Sequence, residues 1–253
     1  MKSLTRAVLA GSLLWVSGFA AAAEDTTPSP IAGNVALTSN YVFRGISQSA
    51  KRAAIQGGFD YAHSSGFYVG TWGSSINFGE GTVTPGDDRA SLEWDLYTGY
   101  KFKAGLDWDV GLIHYGYPTA ANGAPNGGNL NMYEVYFGGT WKFLTAKLSY
   151  TGDYTGFSDK PALYADVAGN FEVGAGFTLN THVGYNTGRG IDETWGRRFW
   201  DYKIGVTKDW GKGLSTSLAW TATTLRSSTA NFYNSENTFN PQGQVSLTLM
   251  KSL

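Results

Sequence analysis

The chain contains no cysteine. Disulfides, thiolate metal sites and cysteine nucleophiles are therefore excluded. Histidine is scarce as well. His63, His114 and His182 are the only three, and no spacing among them supports a zinc site. Neither a metal nor a cofactor is expected. Charged residues are few, at 15%, and no strongly basic face suggests nucleic acid as a partner. No stretch after residue 23 approaches 18 continuous apolar residues, so no transmembrane helix is expected. A phosphate loop is missing too. Gly211-Lys212 lacks the serine or threonine that should follow the lysine, and residues 211–213 read as a hairpin turn.

What is present begins with an export signal. Lys2 and Arg6 form a positive n-region, residues 7–20 an apolar run, and Ala21-Ala22-Ala23 a small-residue cleavage site. Residues 1–23 are read as a secretory signal peptide, 24–32 as a short periplasmic segment and 33–253 as one β-barrel domain. Without Lys2 and Arg6 the 19 basic residues become 17 against 20 acidic ones, a mature net charge of −3. Glycine, at 34 of 253 residues, is about twice its usual ~7% share, and aromatics reach 15%. This composition disfavours helices and suits strands that bend and carry rings.

The organising stretch is 33–76. Three runs of about ten residues alternate apolar with small or polar side chains, a period of two that means strand. Val35, Leu37, Tyr41 and Phe43 are assigned to one face, Asn34, Thr38, Asn40 and Arg44 to the other. About 9–11 residues is also the length of a tilted strand that crosses a bilayer. The same rhythm repeats to residue 253 and predicts twelve antiparallel strands. Connections alternate short and long. The short ones centre on Ser65, Ala104, Phe143, Gly174 and Lys212; the long ones follow Ser47, Ile76, Tyr117, Tyr154, Asn186 and Leu225. Residues 187–198 read as a polar loop. Short periplasmic turns, long extracellular loops and an even strand number agree with one another. The expected fold is an all-β, single closed antiparallel transmembrane barrel.

Part of this stretch resembles a known family. Ser39-x-Tyr41-Val42-Phe43-Arg44-Gly45-x-Ser47, Gln56-Gly57-Gly58 and the run 66–74 are similar to the N-terminal signature of the TorF-like porins, bacterial proteins assigned to the outer membrane. The resemblance covers about forty residues. It implies a porin barrel and transfers no functional residues.

Aromatics form two expected girdles. Tyr61, Phe67, Tyr68, Phe102, Trp108 and Trp141 lie near the short turns. Tyr41, Phe43, Trp94, Tyr133, Tyr154 and Trp200 lie near the long loops. Polar alternation points Arg44, Glu93, Asp95, Lys101, Asp109, Glu134, Lys142, Lys147, Asp166, His182, Asp201 and Lys203 inward as candidate pore-lining residues. Catalysis is not expected. His63-x-Ser65 imitates a base and nucleophile, but it sits on a turn. Glu93/Asp95 and Asp107/Asp109 share strand faces and read as solvated lumen charges rather than acid–base pairs. The function expected is an outer-membrane porin, with passive diffusion of small hydrophilic solutes or ions and a modest cation preference. Its partners would be outer-membrane lipid, those solutes and the envelope's barrel-assembly machinery. The alternatives are a closed structural or adhesive barrel using its loops, and a barrel hydrolase.

Overall fold

The computed structural model describes residues 29–78, 90–119, 130–154, 158–225 and 243–253. The expected signal peptide, and parts of four of the expected long loops, lie outside the described residues. Among the described residues, fourteen strands and one helix follow in order. They are β1 (Ile31–Thr38), β2 (Val42–Phe43), β3 (Ile46–Ser47), β4 (Ala54–Ala62), β5 (Phe67–Ser75), β6 (Leu92–Ala104), β7 (Leu106–Gly116), β8 (Met132–Trp141), β9 (Leu144–Thr151), β10 (Ala162–Gly174), β11 (Phe177–Thr187), α1 (Arg189–Trp195), β12 (Phe199–Gly211), β13 (Leu214–Thr223) and β14 (Gln244–Ser252).

All strands except β2 and β3 form one closed antiparallel barrel of twelve, each paired with its neighbour in sequence. β1 closes it by pairing β4 on one side and β14 on the other, with Asn34 opposite Ser252 and Thr38 opposite Thr248. Closure leaves no open edge, so every barrel strand has a bonded neighbour on both sides. β1 starts at Ile31, two residues before the expected boundary of the barrel domain. The short turns suit the twist. Ala175-Gly176 and Lys212-Gly213 both have positive φ at two consecutive residues, the geometry of tight hairpins that match right-handed strands.

The alternation sorts the two faces. Leu37, Leu96, Val135, Val167, Leu218 and Leu247 stand outward and are exposed. Trp94, Trp200 and Trp220 flank this band toward the long loops, and Phe67, Trp141 and Trp210 toward the short turns. An apolar band this extensive is unstable against water and matches the hydrocarbon of a bilayer.

Two segments depart from the sequence reading. The first expected strand does not run on to Ser47. It stops at Thr38, whose hydroxyl donates to the Asn40 carbonyl at 3.0 Å. The chain then turns into the barrel. Tyr41 and Phe43, expected to face lipid, point inward instead, and Tyr41 is 3% exposed. The Asn40 side-chain carbonyl ties the turn together by accepting from Ser47 at 2.6 Å and Ser49 at 3.3 Å. Such local side-chain bonds compete with ladder pairing. Arg44 and Gly45, at φ 45° and 82°, make the tip of the β2–β3 hairpin. The second departure is α1, inside the expected polar loop. It buries Ile191 and Trp195 against Ile46, Phe199 and Leu225, and ends at Gly196 in the left-handed conformation. Seven residues are too few to hold a helix alone, so packing must supply its stability.

Candidate functional site: the barrel lumen

The inner face is a polar wall interrupted by aromatic rings. At the long-loop end, Arg44 reaches across from the inward hairpin to β8. Its Nη2 donates to both Glu134 oxygens at 2.8 and 2.7 Å. The guanidinium also lies 4.0 Å from the Tyr164 ring centroid. The side chains are 11% and 3% exposed, so this ion pair is shielded from solvent. A buried pair of this kind is held by geometry: removing one partner strands the other charge.

Beside it on β6 stand Glu93 and Asp95, both buried. The Tyr41 hydroxyl donates to Glu93 at 3.2 Å. Among the described residues no base bonds either carboxylate, and Glu93 Oε2 and Asp95 Oδ1 have no hydrogen-bond partner. Across the lumen, Asp201 accepts from Tyr164 at 3.2 Å and Asn186 at 3.0 Å, and its Oδ1 lies 2.8 Å from His182 Nε2. Asp166 sits 3.5 Å from His182 Nδ1. His182 thus stands between two carboxylates.

Nearer the short turns, the Tyr68 hydroxyl donates to Asp109 at 2.7 Å and bonds the Tyr136 hydroxyl. Tyr97 donates to Asp60 at 2.6 Å. Lys101 covers the Tyr68 ring at 4.8 Å and Lys147 the Tyr136 ring at 5.6 Å, cation–π contacts inside the barrel. Lys203, on the long-loop side of the middle of β12 and opposite His182, lines a small cavity with Asn170, Asn180, Thr181 and His182.

Three of these tyrosines lie flat across the glycine opposite them. Tyr97 faces Gly70, Tyr68 faces Gly99 and Tyr136 faces Gly111. A Cβ on Gly111 would meet the Tyr136 hydroxyl at 2.4 Å. The glycines make room for rings to lie along the wall instead of across the lumen. Tyrosine opposite glycine on the polar face marks these pairs, and which tyrosine meets which glycine depends on the cross-strand register.

The opposite wall differs. From β12 through β14 to β1 it carries Thr207, Ser215, Ser217, Thr221, Thr248 and Thr38, joined by contacts such as Thr248 to Thr38 at 2.9 Å.

Of the twelve candidate residues, eleven face the interior: Arg44, Glu93, Asp95, Lys101, Asp109, Glu134, Lys147, Asp166, His182, Asp201 and Lys203. Lys142 does not. It occupies the β8–β9 turn at φ 55°, exposed, with its ammonium 4.8 Å from the Trp141 ring. The turn falls one residue earlier than strand alternation would carry it. Two expected girdle members are also corrected. Tyr68 points inward, and Tyr154 is packed among lumen residues, its hydroxyl accepting from Trp195 at 3.2 Å. Lys103 and Asp107 pair with each other at 3.0 Å on the solvent-exposed rim. His63 and Ser65 bond at 2.8 Å on an exposed turn, as a turn motif would.

A family model described as a bacterial protein of unknown function (Gcw_chp) matches residues 22–253. The chain belongs to the Gcw_chp family. No curated protein matches it. Among solved structures, this Gcw_chp chain is similar to the KdgM porin, with a TM-score of 0.50, 11% identity and coverage of 88% of this chain and 98% of that one. It is similar also to the NanC porin, with a TM-score of 0.53, 10% identity and coverage of 87% and 97%. At these identities the likeness concerns the fold: the Gcw_chp barrel is a porin-like transmembrane β-barrel of twelve strands.

Proposed function

We propose that this Gcw_chp protein is an outer-membrane porin that lets small hydrophilic solutes or ions diffuse passively, with a modest preference for cations. Export by the N-terminal signal and insertion with short turns in the periplasm and long loops outside belong to this reading. The partners are outer-membrane lipid, the permeating solutes and the assembly machinery that inserts such barrels. The protein performs no chemistry. The N-terminal likeness to TorF-like porins and the likeness of fold to KdgM and NanC, both titled porins, support the assignment.

One observation carries the selectivity. The lumen half nearest the long loops holds five inward carboxyl groups, Glu93, Asp95, Glu134, Asp166 and Asp201, against three bases, Arg44, Lys203 and Lys147, the last directly opposite Asp166. A low-dielectric wall focuses such a field and enriches cations in the passage. Salt weakens the effect as the screening length falls from ~10 Å at 0.1 M to ~3 Å at 1 M. The test is the zero-current potential of the refolded protein in a planar bilayer under a KCl gradient. Cation preference at low salt should fade at high salt and shrink in Glu93→Gln/Asp95→Asn. Anion preference at low salt, or no change in that variant, would refute it.

The packed long-loop end favours one other reading, a closed structural barrel. Complete absence of conductance in folded protein would decide for it.

A further inference from the structure

The long-loop half of the lumen is occupied by the protein's own chain. Residues 39–53 leave the wall after β1 and rejoin it at β4, forming a strap around the β2–β3 hairpin. The strap contacts nearly the whole circumference. On one side Tyr41 packs edge-on to Trp72 of β5 at 5.5 Å and bonds Glu93 of β6. Phe43 packs on Tyr115 of β7 at 5.7 Å, and Arg44 bonds Glu134 of β8 and covers Tyr164 of β10. On the other side the Gly45 carbonyl accepts from Gln244 of β14 at 3.1 Å. A Cβ on Gly45 would lie 2.3 Å from Thr223 Cγ2 of β13 and 2.8 Å from Asp201 Cβ of β12. A segment touching eight strands on both sides of a closed barrel must cross its bore.

The crossing narrows the bore at this end. The cavity beside the strap, lined by Phe43, Arg44, Tyr115, Tyr154, Trp195 and Phe199 among others, has a volume of about 60 Å³. That cavity has room for a few waters, at ~10–15 Å³ each. Yet the strap is not part of the barrel sheet. β2 and β3 pair only with each other. Its backbone meets the wall at its two ends, where the Ser39 amide donates to the Leu247 carbonyl at 2.9 Å and the Gln48 carbonyl accepts from the Asn77 amide at 2.8 Å; the tip between them is held through side chains, and its backbone is strained. Arg44, Ala50 and Lys51 all have positive φ between 45° and 59°, a conformation that costs a non-glycine residue free energy wherever it occurs. Arg44–Glu134 is the ion pair that ties the tip of the strap to β8.

We propose that residues 39–53 are a gate, closed in this structure, with Arg44–Glu134 as its latch and Gly45 as the point where the tip seats on the β12–β13 wall. Releasing the latch frees the tip to swing toward the long-loop mouth. The hydroxyl-lined wall from β12 to β1 then becomes the open side of the bore. This rests on the channel reading above.

Single-channel recording of refolded, reconstituted protein tests it. Glu134→Gln keeps the side-chain size and removes the charge that holds Arg44. It should raise open probability at least tenfold over wild type. Gly45→Cys/Thr223→Cys should form a disulfide that pins the tip, given the close approach of these positions. Oxidised, it should conduct at least tenfold less than after dithiothreitol, while single Gly45→Cys should not respond to reductant. Folding of each variant is checked by heat-modifiable electrophoretic mobility, and disulfide formation by thiol titration. Equal conductance in wild type, Glu134→Gln and both redox states of the double variant would overturn the gate and leave the channel standing. No conductance in any folded variant would overturn the channel reading itself.

Discussion

Replacing Leu247 with arginine separates the two faces of the wall most directly. Leu247 lies mid-strand in β14, 51% exposed, opposite Leu218, itself 54% exposed and outward. Both positions fall at the centre of the apolar band. A charge at the bilayer midplane of a barrel costs roughly 2–4 kcal/mol. At ~1.4 kcal/mol per tenfold, the folding equilibrium should drop by roughly 30- to 700-fold. Ser246, one residue away, points inward opposite Ala219 and is half-buried. Arginine there meets the polar lumen, and the expected change is within about 0.5 kcal/mol. Leu247→Ala gives the apolar baseline. It trims methyl and methylene groups worth ~0.8 kcal/mol each when fully removed from water, from a side chain only half turned outward, so about 1 kcal/mol is expected. The assay is denaturant unfolding of protein folded into phospholipid vesicles, followed by tryptophan fluorescence. Equal losses at Leu247 and Ser246, or no loss at Leu247, would refute the assignment of faces and with it the membrane barrel.

Two further outcomes are expected. Gly111→Ala should destabilise by roughly 1–3 kcal/mol, the usual cost of overpacking, because its Cβ would meet the Tyr136 hydroxyl at 2.4 Å and the Thr98 carbonyl at 2.7 Å; Gly152→Ala, with nothing within 4 Å, should be neutral in the same unfolding assay. For orientation, cysteines replacing Ala53 and Asp159 at the long-loop end should react with a membrane-impermeant thiol reagent on intact cells, while cysteines replacing Ser65 and Lys212 at the short turns should stay unlabelled; the reverse pattern would invert the topology.

The sequence by itself determined the barrel. Side-chain period, turn chemistry and strand length are local properties. Leu92, Trp94 and Leu96 alternate with Glu93, Asp95 and Tyr97 whatever lies elsewhere, and in a closed barrel that alternation can only mean outward and inward. Hence most of the candidate lumen charges were legible in one dimension. What the tertiary structure alone decided is how the bore is filled. Tyr41 and Phe43 continue the alternation of β1 in sequence, so nothing local distinguishes them from lipid-facing residues. They turn inward because Glu93, Trp72 and Tyr115, from strands far along the chain, offer them partners. The helix at Arg189–Trp195 exists because Ile46, Phe199 and Leu225 give Ile191 and Trp195 a surface to bury. The tyrosine–glycine pairs depend on cross-strand register, and Lys142 left the lumen because the hairpin turned one residue early. Each of these is set by which strand stands opposite which. Only the closed barrel makes those neighbours.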